Sequence, residues 1–289
     1  MGITFHEYKF LEYITENNSL GDILTLGRLE VILSKKDLSD LKLDNTLSEN
    51  EKYAEKILRE VFKADSVSSL DNSKYENADE ILDLNLPIHE DFKKYDSIID
   101  FGTSEHVFNV SQCLKNISSL CKINGQIIHC LPANNSCGHG FWQFSPELFF
   151  SLYSEENGFK ETEIFIFDLS EKKFWWSVKK QLPGERLELN SDVPLYVACR
   201  TKKVLEKNDI SVQQSDYKFL WDKKNIEKKE KFKKNYLSSI IKRIKKNFKK
   251  FLVNSSLFGT FFYKLEEKKF AKKKFYFKNK YLIKKSIKN

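Results

Sequence analysis

The chain has 289 residues, 40% apolar and 14% aromatic, enough to bury one good core and leave a substantial appendage. Its formal charge of +8 is unevenly spread: residues 222–289 hold 24 Lys/Arg against 5 Asp/Glu, whereas the first 221 residues hold 25 against 36. Five cysteines, at 113, 121, 130, 137 and 199, show no Cys-x-x-Cys spacing, which argues against a disulfide framework and a structural zinc site and fits a reducing cytosol.

The opening residues mix charges among their apolar positions, unlike a secretory signal, and no stretch approaches the roughly 18 apolar residues that a membrane span needs. Phe5, Tyr8, Leu11 and Ile14 recur at helical spacing and predict an amphipathic helix over the domain. Asp22 to Leu26 reads as the first strand and ends at Gly27-Arg28. Ser34 to Asp37 and Ser48 to Glu51 carry helix-start signals, the second ahead of Tyr53, Ile57, Leu58 and Phe62. Further strands are expected at Ser66 to Leu70, ending at Asp71-Asn72, and at Glu80 to Leu82, ending at Asp83-Leu84-Asn85.

Two more strand patterns, Ser97 to Ile99 and Gln126 to Leu131, flank a helix through Val110, Leu114, Ile117 and Leu120. Each runs into small, acidic and histidine residues: Asp100, Gly102, Glu105 and His106 after the first, Pro132, Asn134, Asn135, Gly138, His139 and Gly140 after the second. In an open α/β sheet ligands lie outside the carboxyl ends of the strands, so polar residues massed there mark a candidate site. Beyond a helix opened by Ser145-Pro146-Glu147, strands at Glu163 to Phe167 and Leu195 to Cys199 are separated by about 28 residues with no helical period, which suits an antiparallel pairing.

The run from Asp100 through Glu105-His106 to Pro132, Asn134, His139, Phe141 and Ser145-Pro146-Glu147 resembles the second half of a class I S-adenosylmethionine-dependent methyltransferase. The resemblance implies a Rossmann-like, mostly parallel seven-stranded α/β sheet with one antiparallel strand, S-adenosylmethionine as cofactor, and a methyl acceptor. It implies that Asp71, with Asn72, meets the ribose hydroxyls and that Asp83 and Leu84 meet the adenine. Gly27, Arg28, Asp100 and Gly102 complete the expected cofactor contacts. The chain departs from the family at the first strand, where Gly27-Arg28-Leu29-Glu30 stands in place of a Gly-x-Gly-x-Gly turn. That departure also counts against a nicotinamide-binding enzyme, which needs the same turn.

An acceptor hydroxyl or amine must lose a proton, and His106, His139 and Glu105 are the candidate catalytic groups. Asn134, Asn135, Phe141 and Gln143 are candidates for acceptor binding, the aromatic ring suiting a sugar face. His6, His89 and His129 are taken as structural, and no metal ligand set is expected. Residues 1–205 are expected to form the methyltransferase-like domain and 206–289 a basic helical extension.

Within the extension, Leu237, Ile240, Ile241, Ile244, Phe248, Phe251 and Leu252 fall on one helical face and six Lys/Arg on the other. Such a helix suits an anionic membrane surface, with about 1 kcal/mol per basic residue available, and would hold the domain on the cytoplasmic face near lipid-linked glycan acceptors. Lys interleaved with Phe and Tyr from Phe270 to Tyr281 also fits a nucleic-acid grip. A scaffold that has kept the fold without the chemistry is the remaining alternative.

Overall fold

The computed structural model describes residues 2–43, 52–182, 185–187, 189, 191–207, 209–221 and 280–287. The expected helix start at Ser48 to Glu51 and the basic helix of residues 236–253 lie outside them, as does nearly all of the Phe270 to Tyr281 stretch. In chain order the elements are β1 (Gly2–Ile3), α1 (Phe5–Thr15), β2 (Asp22–Leu26), β3 (Glu30–Val31), α2 (Lys35–Asp40), β4 (Ser66–Asp71), β5 (Glu80–Ile81), β6 (Tyr95–Asp100), α3 (Val110–Leu120), β7 (Cys121–Asn134), α4 (Pro146–Leu152), β8 (Phe159–Phe167), β9 (Phe174–Val178), β10 (Leu195–Lys203), α5 (Ser215–Trp221) and β11 (Leu282–Ser286). A π-helical turn at Ile57–Val61 and a 3-10 turn at Ser104–His106 interrupt the connections.

Among the described residues, nine strands form one sheet in the order β11-β9-β8-β10-β7-β6-β2-β4-β5, and β1 pairs with β3 in a small separate sheet. From β5 to β7 every neighbour is parallel, and the spatial order 3-2-1-4-5 of those strands is that of the Rossmann sheet. Ile23, Leu24, Ile98, Ile99, Ile127 and Ile128 are fully buried at its centre. Continuous apolar runs of this kind are what a parallel strand covered on both faces requires.

The expected seven-stranded, mostly parallel sheet is corrected at its other edge. β10 runs antiparallel to both β7 and β8, β9 runs antiparallel to β8, and β11 adds outside β9. Trp175 and Trp176, expected in a long loop, lie on β9. The reason is packing: Trp175 is buried and meets the ring of Phe10 from α1 edge-on at 6.0 Å, so a segment with no helical period still forms a strand through its aromatic face. Helix α1 is held at its start by a capping box of Thr4 and Glu7 and buries Phe5, Tyr8, Leu11 and Ile14, as its spacing predicts.

Two compact units are distinguishable. The first comprises Met1–Lys180, Val193–Val212 and Lys280–Asn289, and contains both sheets; the second comprises Gln181–Asp192 and Gln213–Asn279, and contains α5. Within the second, the Arg186 guanidinium donates to Asp216 at 2.6 Å. Among the described residues no helix is long and apolar enough to cross a membrane.

Candidate active site

Because β2, β4, β5 and β6 are parallel, their carboxyl ends share one edge, which brings Gly27, Asp71, Asp83 and Asp100 to the same side of the sheet. The connection from β5 to β6 crosses over β2 and β4, so the strand order reverses here. A crevice at such a reversal is where ligands of doubly wound sheets bind. A cavity of about 280 Å³ opens there, lined by Leu70, Asp71, Asn72, Leu82, Asp83, Leu84, Asn85, Thr103, His106 and Val107. That volume lies close to the small end of ligand pockets, roughly 300–1,000 Å³.

Four of the eight expected cofactor residues, Asp71, Asn72, Asp83 and Leu84, therefore share one wall, and His106 joins them from across the crevice. Asp71 accepts the Ser73 backbone N–H on Oδ1 at 3.1 Å, a local turn that fixes the carboxylate at the strand end. Asp83 accepts both the backbone and side-chain N–H of Asn85, at 2.9 and 2.7 Å, and these bonds hold its carboxyl below the ordinary range. Asn85 in turn accepts from the Asn109 N–H at 2.8 Å, and Asn109 caps α3. The far wall is thus tied to the helix that follows the Glu105-His106 turn.

The other four expected cofactor residues do not line the cavity. Gly27 has φ +72°, and its N–H donates to the Leu70 carbonyl at 2.6 Å; the left-handed turn needs a glycine, but it links β2 to β4 instead of facing the crevice. Arg28 donates to the Glu55 carboxylate at 2.6 Å and to the Glu76 carbonyl at 3.0 Å, and lies 3.9 Å over the Tyr53 ring, so its charge is already paired. Gly102 shapes the turn after β6 with φ +97°.

Asp100 is fully buried beneath the crevice and accepts hydrogen bonds from the backbone of Thr103 and Ser104, from the Ser104 hydroxyl at 2.6 Å, and shares one with His129 Nδ1 at 2.8 Å. Burial pushes its pKa up, but the bonds from His129 and Ser104 outweigh that and leave it below the ordinary carboxylate value. His129 continues the chain to the Tyr153 hydroxyl at 2.6 Å. Asp100 therefore sets the Thr103-to-His106 turn from below.

That turn presents the three expected catalytic groups together. The Glu105 side chain is fully buried, and its Oε1 lies 3.3 Å from His139 Nε2 and 3.9 Å from His106 Nε2, while its Oε2 has no hydrogen-bond partner among the described residues. Burial, with the nearby Asp100 charge, raises the Glu105 carboxyl to about 8. Burial and the neighbouring His139 lower the His106 pKa, which keeps its imidazole neutral. The two imidazoles are half exposed and meet edge to face, 5.2 Å between centroids.

The loop carrying His139 is clamped onto the turn. The Glu105 carbonyl accepts from the N–H groups of Phe141 at 2.7 Å and Trp142 at 3.2 Å, and the Trp142 indole donates to the Val107 carbonyl at 3.0 Å. Gly140 has φ +74°, and a Cβ there would stand 2.8 Å from the Glu105 Cγ and carbonyl oxygen. Only glycine permits that approach.

Among the expected acceptor contacts, Phe141 is 67% exposed and meets Phe108, 74% exposed, edge-on at 6.1 Å. Gln143 accepts the Ser136 N–H, Asn135 donates to the Val193 carbonyl, and Asn134 accepts the Asn135 N–H, so these three amides brace the loop. Sequence reading missed Phe108, Thr103, Val107 and Asn85; an aromatic two residues after the Glu-His pair was the signal that could have flagged Phe108.

No family model matches the chain, and no curated protein matches it. Solved structures that it is similar to include a SAM-dependent methyltransferase from Archaeoglobus fulgidus, 15% identical over 69% of this chain and 94% of that one, with a TM-score of 0.39. The N-methyltransferase NodS from Bradyrhizobium japonicum WM9, solved with S-adenosyl-l-homocysteine, is 10% identical over 68% and 87%, with a TM-score of 0.36. TehB from Haemophilus influenzae is 13% identical over 68% of this chain and 62% of its own, with a TM-score of 0.38.

Proposed function

We propose that the chain is a methyltransferase that binds S-adenosylmethionine in the crevice beyond β4 and β5 and methylates a hydroxyl or amine of a small or glycan-type acceptor. The observation that carries this reading is the meeting of Asp71, Asp83 and His106 around one cavity at the reversal of strand order. The residues present fit the adenosyl half of such a cofactor. Asp71 Oδ2 takes no hydrogen bond from the described residues and is placed to accept from vicinal hydroxyls. Asp83 offers a carboxylate beside the apolar Leu82 and Leu84, suited to an aromatic base with an exocyclic amine.

The cofactor, when bound, supplies an electrophilic methyl group on a sulfonium. The protein's own work is alignment, which can lower the barrier by about 7–11 kcal/mol, and removal of the acceptor proton. His106 is the group that takes this proton, because it lines the cavity and its lowered pKa leaves a lone pair free at neutral pH. Glu105 and His139 stand behind it as a proton-sharing pair, and Phe108 with Phe141 forms an exposed aromatic wall for the acceptor. The charge of residues 222–289 supports a further part of the proposal, that the extension holds the domain at an anionic membrane face on the cytoplasmic side.

Titration calorimetry with S-adenosylmethionine tests the reading. D71N, which keeps the turn to Ser73 but removes the charge, should weaken binding by roughly 10- to 100-fold, the worth of a charge-assisted hydrogen bond. A wild-type chain that takes up no S-adenosylmethionine would leave the scaffold alternative standing.

A further inference from the structure

Glu105, His106 and His139 meet in one cluster. Three ligand-type atoms from two separate segments, one carboxylate oxygen and two imidazole nitrogens, all lie within 4.8 Å of one another. In a tetrahedral centre with bonds of about 2.0–2.2 Å, ligand atoms stand about 3.3–3.6 Å apart. Glu105 Oε1 lies 3.3 Å from His139 Nε2 and 3.9 Å from His106 Nε2, so the side chains already stand near the required spacing.

A second observation points the same way. Glu105 is fully buried, and its Oε2 finds no partner among the described residues. A buried carboxyl oxygen left without a hydrogen bond is costly, and the protein keeps it here when a shorter or apolar side chain would avoid the cost. The surrounding backbone is also fixed: the bonds from Phe141 and Trp142 to the Glu105 carbonyl, and the close approach of Gly140, lock the two segments in register. Chance pairs of surface imidazoles are not held in this way.

We propose that Glu105, His106 and His139 bind one divalent transition-metal ion of the zinc class, leaving at least one coordination position open to solvent or acceptor. Two imidazoles and one carboxylate are a nitrogen-rich set that suits zinc, cobalt or ferrous iron over magnesium or calcium, which prefer oxygen. With both imidazoles half exposed, the open position faces solvent. Metal binding itself is independent of the cofactor. Its use to acidify an acceptor hydroxyl at the open position, in place of the His106 base, rests on the methyl-transfer reading.

The test uses the full, untagged chain stripped with chelator and dialysed, titrated with Zn²⁺ by calorimetry and with Co²⁺ by visible absorption. One ion per chain is expected, with Co²⁺ giving the absorption of a tetrahedral or five-coordinate site. E105Q, H106N and H139N should each weaken Zn²⁺ binding by more than about 100-fold, beyond what loss of an outer-sphere partner costs, while C137S leaves it unchanged. The imidazoles are half exposed, so their replacement is expected to preserve the melting transition, which is measured alongside. Absence of Zn²⁺ binding, or binding that survives these three substitutions, overturns the proposal. S-adenosylmethionine titrated into the metal-free protein separates the two readings: uptake without Zn²⁺ binding defeats only the metal site, and Zn²⁺ binding without uptake defeats only the methyl-transfer reading.

Discussion

His139 Nε2 lies 3.3 Å from the buried Glu105 carboxyl group, joining two segments 34 residues apart in the chain. The contact exists because the backbone of residues 140–142 rests on the Glu105 carbonyl, so the chemistry of the site depends on a backbone fit.

Replacing Gly140 by alanine tests that dependence. The left-handed backbone costs an L-residue about 1 kcal/mol or more, and the added methyl meets Glu105 at 2.8 Å. G140A should lower methyl transfer, and with it any Zn²⁺ affinity, by at least tenfold, while S-adenosylmethionine affinity stays close to wild type. Equal loss of both affinities would mean that the loop supports the whole crevice.

The buried chain Asp100, His129, Tyr153 fixes the turn from below and predicts a different pattern. D100N replaces the buried carboxylate that Thr103, Ser104 and His129 all bond to and should cost about 3 kcal/mol or more in urea unfolding, whereas Y153F removes one hydrogen bond and should cost about 1–3 kcal/mol. If D100N unfolds like wild type, Asp100 is not the anchor of the turn.

His6 makes stability depend on pH. The Trp175 indole donates to His6 Nδ1 at 3.0 Å, and the ring stacks on Phe167 at 4.5 Å, so the buried imidazole must stay neutral. Burial lowers its pKa from 6.5. Below pH 6.5 the unfolded chain binds a proton that the folded chain refuses, so stability falls as pH drops from 6.5 toward the folded-state value. Urea midpoints measured from about pH 7 to about pH 5 should decline in wild type, and the decline should shrink in H6L even though that variant starts less stable. An unchanged slope in H6L would assign the acid sensitivity elsewhere.

How much of this was legible in sequence varied with the physics. The central strands were readable because parallel strands buried on both faces carry uninterrupted Ile and Leu, as at Ile98-Ile99 and Ile127-Ile128. The places of Asp71 and Asp83 beside the cavity were readable because one closes β4 and the other lies just past β5. β9 and β11 were not: the first is stabilised by Trp175 packing on Phe10, and the second is a Lys-rich segment that pairs through its backbone at the sheet edge. The internal partners of Asp100 and Arg28 were hidden for a common reason. A charged residue at a strand end looks the same in sequence whether it faces the crevice or pairs internally with His129 or Glu55. The Glu105-His139 contact depends on Gly140, and spacing alone could not supply that fold-back.

The most direct measurement is a crystal structure of the full chain grown with S-adenosylhomocysteine. The adenosyl group is expected in the crevice beyond β4 and β5, with its ribose hydroxyls within hydrogen-bond reach of Asp71 and its adenine beside Asp83 and Leu84. Density for the adenosyl group at another surface, with this crevice empty, would contradict it.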